Sequence, residues 1–177
     1  LPSYLKALVE RFDEQGFAPE RWRLTKALVT AEPLPDSLRA ILHERVPTVL
    51  MSYGTAEVGL IGYETSPGSG LVPADGIQVE ICDLATGAPV STGEGQVVVT
   101  VLRDAYPLVR FGTGDLSAWV LGADGSVRLA GVLGRVGEAV KVKGMFLHPR
   151  QAASVMQGIA GVSAWRFVID RVEHKDA

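Results

Sequence analysis

Cysteine is nearly absent from this 177-residue chain; Cys82 stands alone. One thiol excludes an internal disulfide and leaves too few thiolates for a structural zinc site. Histidine is scarce too. His43, His148 and His174 show neither metal-ligand spacing nor the acid–nucleophile pattern of a hydrolase triad. No apolar run approaches the ~20 residues that cross a bilayer, and Leu1–Glu10 lacks a signal-peptide core. Clusters of Lys and Arg are missing and the net charge is −3, which argues against a nucleic-acid surface. Hydrophobic residues make up 47% of the chain and charged residues 21%, enough apolar content to build a core and too little charge for disorder. The expectation is a soluble cytoplasmic protein with no membrane and no nucleic-acid partner, and with Cys82 an inert thiol in a strand. The first residue is Leu1 rather than Met, which suggests a piece of something longer.

Three textures follow one another along the chain. Residues 1–65 read as helix, strand, helix, strand. Leu5, Leu8, Val9 and Phe12 share a helical face that Gly16 can end, and Leu24–Thr30 reads as a buried strand. Asp36 or Ser37 can cap a second helix with Leu38, Ile41, Leu42 and Val46 inward. Thr48–Ser52 then leads as a strand into Tyr53-Gly54. This alternation predicts part of an α/β layer with ligand loops at its strand ends. Residues 66–134 change to short strands, Gly76–Cys82, Gly95–Leu102, Ser117–Leu121 and Ser126–Leu129, separated by turn signals. They predict a small antiparallel β-barrel or sheet, with Gln96–Leu102 as its most buried strand. Residues 135–177 read as the start of an α+β C-terminal domain. Its elements are strands at Val140–Val142 and Met145–Leu147, a helix beginning at Pro149 with Ala152, Val155, Met156 and Ile159 inward, and an alternating strand over Ser163–Asp170.

Three short stretches carry candidate chemistry. In Tyr53-Gly54-Thr55-Ala56-Glu57, the aromatic ring can lie against a purine and Glu57 can reach a metal ion held by phosphates. A core tyrosine and a solvated glutamate are the alternatives. In Arg110-Phe111-Gly112-Thr113-Gly114-Asp115, glycines permit close approach of a ligand, and one carboxylate can accept from both hydroxyls of a ribose. A turn aspartate bonding its own backbone competes with that reading, and Arg110 is expected to pair with Asp115 or another acid in a structural role. Arg135, after Gly134, can bridge a ribose oxygen and a phosphate, or be a surface charge. The loop Thr65-Ser66-Pro67-Gly68-Ser69-Gly70 has the composition of a phosphate cradle but no following lysine, so it reads as a connection. Lys141 and Lys143 flank Val142 on one side of a strand; as surface lysines they are unremarkable, though a phosphate-rich partner could use them.

In order, Ala31-Glu32-Pro33, Tyr53–Glu57, Tyr106–Asp115, Gly134-Arg135 and Lys141-Val142-Lys143-Gly144 resemble the acyl-adenylate-forming enzymes, in particular their phenylacetate–coenzyme A ligase branch. The resemblance spans essentially the whole chain. It implies activation of a carboxylic acid, phenylacetate or a related aryl acid, by ATP, followed by transfer of the acyl group from AMP to coenzyme A. Catalysis of that kind is mostly positioning and charge neutralisation, with magnesium as the implied metal. By matching position, Ala31 and Glu32 would line the adenine pocket, with Ser52, Tyr53 and Gly54 against the base. Glu57 would be the metal-linked acid, Asp115 would hold the ribose and Arg135 would reach its phosphate side. A hinge would lie at 136–138, centred on Gly137, and Lys143 and Gly144 would stand near coenzyme A.

Two departures from the family pattern are visible. Gly137 stands where an acid is usual, and Ala56 where a hydroxyl is usual. The resemblance further implies a phosphate loop upstream of Leu1 and a catalytic lysine beyond Ala177, so no catalytic residue is assigned within the chain and the segment alone is expected to be inactive. A homodimer is compatible with this reading. Two other functions fit the same residues: a non-catalytic nucleotide-binding or interaction module, and an adenylating enzyme with a different acceptor.

Overall fold

A computed structural model describes residues 1–137, 140–142, 145–147, 149–159, 161–162, 164–166, 171–172 and 175–176. It is a mixed α/β structure with a curled antiparallel sheet. Helix α1 (Pro2–Glu14), a short 3-10 turn (Pro19–Arg21), strand β1 (Lys26–Val29), helix α2 (Asp36–His43) and strand β2 (Thr48–Thr55) come first. Strands β3 (Gly59–Tyr63), β4 (Val72–Pro73), β5 (Gln78–Cys82), β6 (Glu94–Val101), β7 (Leu108–Leu121), β8 (Val127–Leu129) and β9 (Gly134–Arg135) follow. Then come the antiparallel pair β10 (Val140–Val142) and β11 (Met145–Leu147), helix α3 (Pro149–Gln157), and the pair β12 (Arg171–Val172) and β13 (Lys175–Asp176).

The apolar pattern builds two cores. One face of the parallel pair β1–β2 presents Val29 and Val49 to Leu5 of α1 and to Leu42 and Val46 at the end of α2. The period is helical but the buried stripe is narrower than predicted: Leu8 and Ile41 are exposed. Asp36 is the first residue of α2 rather than its cap; Pro35 holds the cap position and no side chain caps the helix. Pro35 lacks a side-chain acceptor, so Asp36 contributes through its charge at the positive end of the helix. The second core gathers Ile81, Val97, Val99, Val101, Leu108 and Leu129 from the antiparallel sheet. β6 is its most buried strand, as expected, but Leu102 beyond its end is exposed.

Strand β2 belongs to both cores. Val49 faces the helices, while Tyr53, four residues on, is buried with Ile61 of β3 in the core of the antiparallel sheet. The strand does not end at Tyr53-Gly54 but continues to Thr55 and turns into β3, a strand that the sequence pattern did not separate from the motif. The β2–β3 ladder shifts register between Tyr53 and Gly54. There a Cβ on Gly54 would lie 2.3 Å from the carbonyl oxygen of Gly59, so only glycine fits the bend. Reciprocal bonds between Leu71 and Leu129 of 2.8 and 2.9 Å join the β4 side to β8.

A buried ion pair ties α2 to this frame. The Arg39 guanidinium donates to both oxygens of Glu64 at 2.8 and 2.9 Å and to the Val49 carbonyl. Glu64 also accepts from the backbone N–H groups of Met51 and Gly68 at 2.7 and 2.9 Å. Gly68 lies in the loop after β3, so the composition that resembles a phosphate cradle is here organised around a carboxylate of the chain itself.

In the last region Val140–Val142, Met145–Leu147 and the helix from Pro149 fall where the sequence predicts them. Ala152 is buried, whereas Val155 and Ile159 are exposed. The strand predicted over Ser163–Asp170 is not formed at 164–166, and its remaining residues lie outside those described.

Replacing Glu64 with alanine leaves the Arg39 charge buried without its acid. Urea unfolding of Glu64→Ala is expected to show a loss of about 3–5 kcal/mol, and a change under 1 kcal/mol would mean that the pair does not anchor α2.

Candidate functional site

Strand β7 is far longer than the predicted Ser117–Leu121, because it includes Arg110–Asp115. Those residues looked like a turn for a good local reason: Gly112, Gly114 and Asp115 are turn formers. Their pairing with β6 overrides that preference. Gln96 opposes Leu116 and Val98 opposes Gly112, so Thr113, Gly114 and Asp115 together face the single residue Val97. Three residues against one make a special bulge, and Gly114 supplies its left-handed turn at φ +78°. A second irregularity, between Val99 and Val101, sets Arg110 at φ +47°. Arg110 pairs with Glu80 at 3.1 Å and donates to the Gly87 carbonyl, a structural role that leaves Asp115 to other partners.

The bulge places Asp115 opposite Arg135 across the β7–β9 ladder. Arg135 Nε lies 3.2 Å from Asp115 Oδ1, and the Val136 N–H donates to the Gly114 carbonyl at 2.8 Å. From the other sheet the Tyr53 hydroxyl reaches Asp115 Oδ2 at 2.8 Å and stands 3.1 Å from Thr113 Oγ1. A phenol has one proton, and the carboxylate is the stronger acceptor, so Tyr53 donates to Asp115. Asp115 is thus fixed through both oxygens and still has a free lone pair on each. Burial pushes the Tyr53 phenol well above its ordinary range, and the Asp115 charge adds to the shift.

A cavity of about 480 Å³ opens over this cluster. Ala31, Glu32, Ser52, Tyr53, Gly54, Glu57, Asp115 and Arg135 all line it, which brings seven nucleotide-contact candidates and the metal candidate into one place. Phe111, Val132 and Met51 give it apolar walls, which no motif had flagged. Thr113 was missed as well; its signal was its place inside the Gly-Thr-Gly-Asp run. At the rim, Ala31 takes φ +68°, an uncommon conformation for a residue with a Cβ. Next to it the hydroxyl and amide of Ser3 donate to Glu32 at 2.8 and 3.0 Å and hold its carboxyl below the usual range. Ser52 is buried, its hydroxyl facing the Val29 carbonyl. Thr55 Oγ1 accepts the Val58 N–H, so this hydroxyl is used inside the turn.

Among the described residues no three His, Cys, Asp or Glu side chains gather as a metal site. Glu57 is the acid at that end of the cavity. One carboxylate suits a magnesium ion whose remaining ligands are phosphate oxygens and water, so the residues present fit that metal only in company with a nucleotide. Val136 and Gly137 of the hinge candidate form a turn after β9, while Glu138 lies outside the described residues, as do Lys143 and Gly144.

The phenylacetate–coenzyme A ligase of Thermus thermophilus is 31% identical over 174 residues, covering 91% of this chain and 39% of that protein. That of Pseudomonas putida is 31% identical over 159 residues, 85% of this chain and 36% of the relative. The chain belongs to the acyl-adenylate-forming ligase family. It spans less than two fifths of the length of these two ligases. No family model matches it. Among solved structures, the amide bond synthetase McbA from Marinactinospora thermotolerans aligns with a TM-score of 0.65 at 20% identity, over 99% of this chain and 39% of its own. The anthranilate CoA ligase AuaEII in complex with anthranoyl-AMP aligns with a TM-score of 0.58 at 21% identity, over 78% and 30%. At these identities the structures establish the family's fold in this chain, the curled antiparallel sheet included.

The raised phenol makes a titration prediction. A phenol whose pKa is higher folded than unfolded stabilises the protein fully below the unfolded value near 10, and that contribution is lost as pH rises above it. Ultraviolet titration should show a tyrosine component that ionises only once the fold is lost. Tyr53→Phe should remove that last component and cost about 1.5–3 kcal/mol through the lost bond to a charged acceptor. The absence of any such late component would show that Tyr53 is not buried against Asp115.

Proposed function

We propose that this chain is the nucleotide-binding portion of an ATP-dependent carboxylic acid–coenzyme A ligase, acting on phenylacetate or a related aryl acid. The observation that carries this reading is the convergence of Asp115, Arg135, Tyr53 and Glu57 on one cavity from three separate parts of the chain. In this reading Asp115 accepts from the ribose hydroxyls through the lone pairs that Tyr53 and Arg135 leave unused. Arg135, half out in solvent, turns its remaining donors to the ribose and the phosphate. Tyr53 and Gly54 face the base, with Ser52 beneath and Ala31 and Glu32 at the rim. Phe111, Val132 and Met51 exclude water from one wall.

The chemistry assigned to these residues is positioning. Fixed hydrogen-bond partners aimed at the ribose hold the α-phosphate in one place relative to an incoming carboxylate, which removes orientational freedom before reaction. Magnesium held at Glu57 would neutralise phosphate charge. The likeness to phenylacetate–coenzyme A ligases supports both the acid substrate and coenzyme A as acceptor, with Lys143 and Gly144 as candidate contacts. ATP and AMP are supported by the structural likeness to AuaEII bound to anthranoyl-AMP and to MatB from Rhodopseudomonas palustris bound to ATP, which aligns with a TM-score of 0.56 at 21% identity over 76% of this chain and 30% of its own. Gly137, at φ +89° and with open space around it, is the residue proposed to absorb a rotation of the following segment.

Calorimetric titration of AMP tests the ribose contact. The unmodified chain is expected to bind, and Asp115→Ala to bind at least about tenfold more weakly, the loss of one or two hydrogen bonds to a charged acceptor. Equal affinities would remove Asp115 from the site.

A further inference from the structure

The bulge that carries Asp115 leaves two backbone groups of the sheet without their normal partners, and one side chain serves both. Val97 has three residues of β7 opposite it and is in register with none of them, and it is fully buried. Its carbonyl accepts instead from the Thr113 hydroxyl at 3.0 Å. The same Thr113 oxygen accepts the N–H of Asp115 at 3.1 Å and lies 3.1 Å from the Tyr53 hydroxyl. Thr113 therefore closes the gap in the β6–β7 ladder, caps the amide of the residue being extruded, and stands beside the phenol that grips that residue's carboxylate. A buried carbonyl without a donor is costly, so a flattened bulge would be the natural response of a chain lacking this hydroxyl. Flattening would bring Asp115 into register with β6 and move it away from Tyr53.

We infer that Thr113 is a positioning residue for the site: its hydroxyl, rather than any contact with ligand, sets the place of the Asp115 carboxylate. This rests on the reading of Asp115 as the ribose acceptor. A β-branched residue also suits the extended backbone, which is why serine and valine separate the two contributions, one keeping the hydroxyl and the other the shape.

The test compares Thr113→Val and Thr113→Ser in the 177-residue chain, with two readouts. Amide hydrogen exchange at Asp115, measured against Val79 and Val99 in the same sheet, needs no ligand. Thr113→Val should lower protection at Asp115 by about tenfold more than at those references, and Thr113→Ser should restore it. AMP affinity by calorimetry should fall about tenfold in Thr113→Val and recover in Thr113→Ser. Should the valine variant fail to fold, Thr113→Ala removes the hydroxyl without adding a methyl group beside Val97. Uniform loss of protection across the sheet, or recovery with valine but not serine, would overturn the inference. If the unmodified chain binds no AMP, the ribose reading fails, and the exchange comparison still decides whether Thr113 places Asp115.

Discussion

The double grip on Asp115 is the contact on which the rest of the site depends. One oxygen meets Arg135 across β7–β9 and the other meets Tyr53, which comes from a different sheet. A carboxylate with a single partner could swing; two partners on opposite sides leave it one orientation and keep two lone pairs pointing elsewhere. Burial makes the grip matter more. The Asp115 side chain is 13% exposed, so a charge without these partners would be expensive there. The geometry exists only because three residues of β7 oppose one of β6.

Support for that grip comes from how β2 is shared. Its early residues pack under α1 and α2, and Tyr53 packs in the core of the antiparallel sheet. The Arg39–Glu64 pair fixes α2 against the strand that follows the β2–β3 turn, so the turn bearing Glu57 is held from both ends. Ligand-facing groups on rigid strands are placed more accurately than groups on free loops. Here the α/β elements offer Tyr53 and Glu57, the curled sheet offers Asp115, and the cavity lies where they meet.

Much of this was legible in the sequence, and the misses have local causes. Short strands bounded by turns, and the helix that begins at Pro149, follow from period and punctuation. That Tyr53, Glu57, Asp115 and Arg135 belong together was legible only from their joint order, since each alone has an ordinary structural use, and the fold does gather them at one cavity. What could not be read is pairing. Gly112-Thr113-Gly114-Asp115 has turn propensity, and only its partner strand reveals that it is a bulge within a continuous β7. The strand β3 was hidden for a similar reason, since Gly59 and Gly62 dilute its apolar pattern. Thr113 escaped notice because its value lies in a carbonyl sixteen residues away. The outward turn of Ile41 and Leu8 shows that an apolar residue at helical spacing is not thereby buried.

The molecule has another, more apolar groove, lined by Pro89, Val90, Ser91, Trp119, Leu121 and Val127, none of which lines the cavity over Asp115. It makes the central claim open to a direct spatial test. Backbone amide shifts recorded while AMP is added to the labelled chain should move at residues 31–32, 52–57, 111–115 and 132–135, with Trp119, Leu121 and Val127 unmoved. Shifts concentrated at that apolar groove, with Asp115 and Arg135 unchanged, would contradict the account.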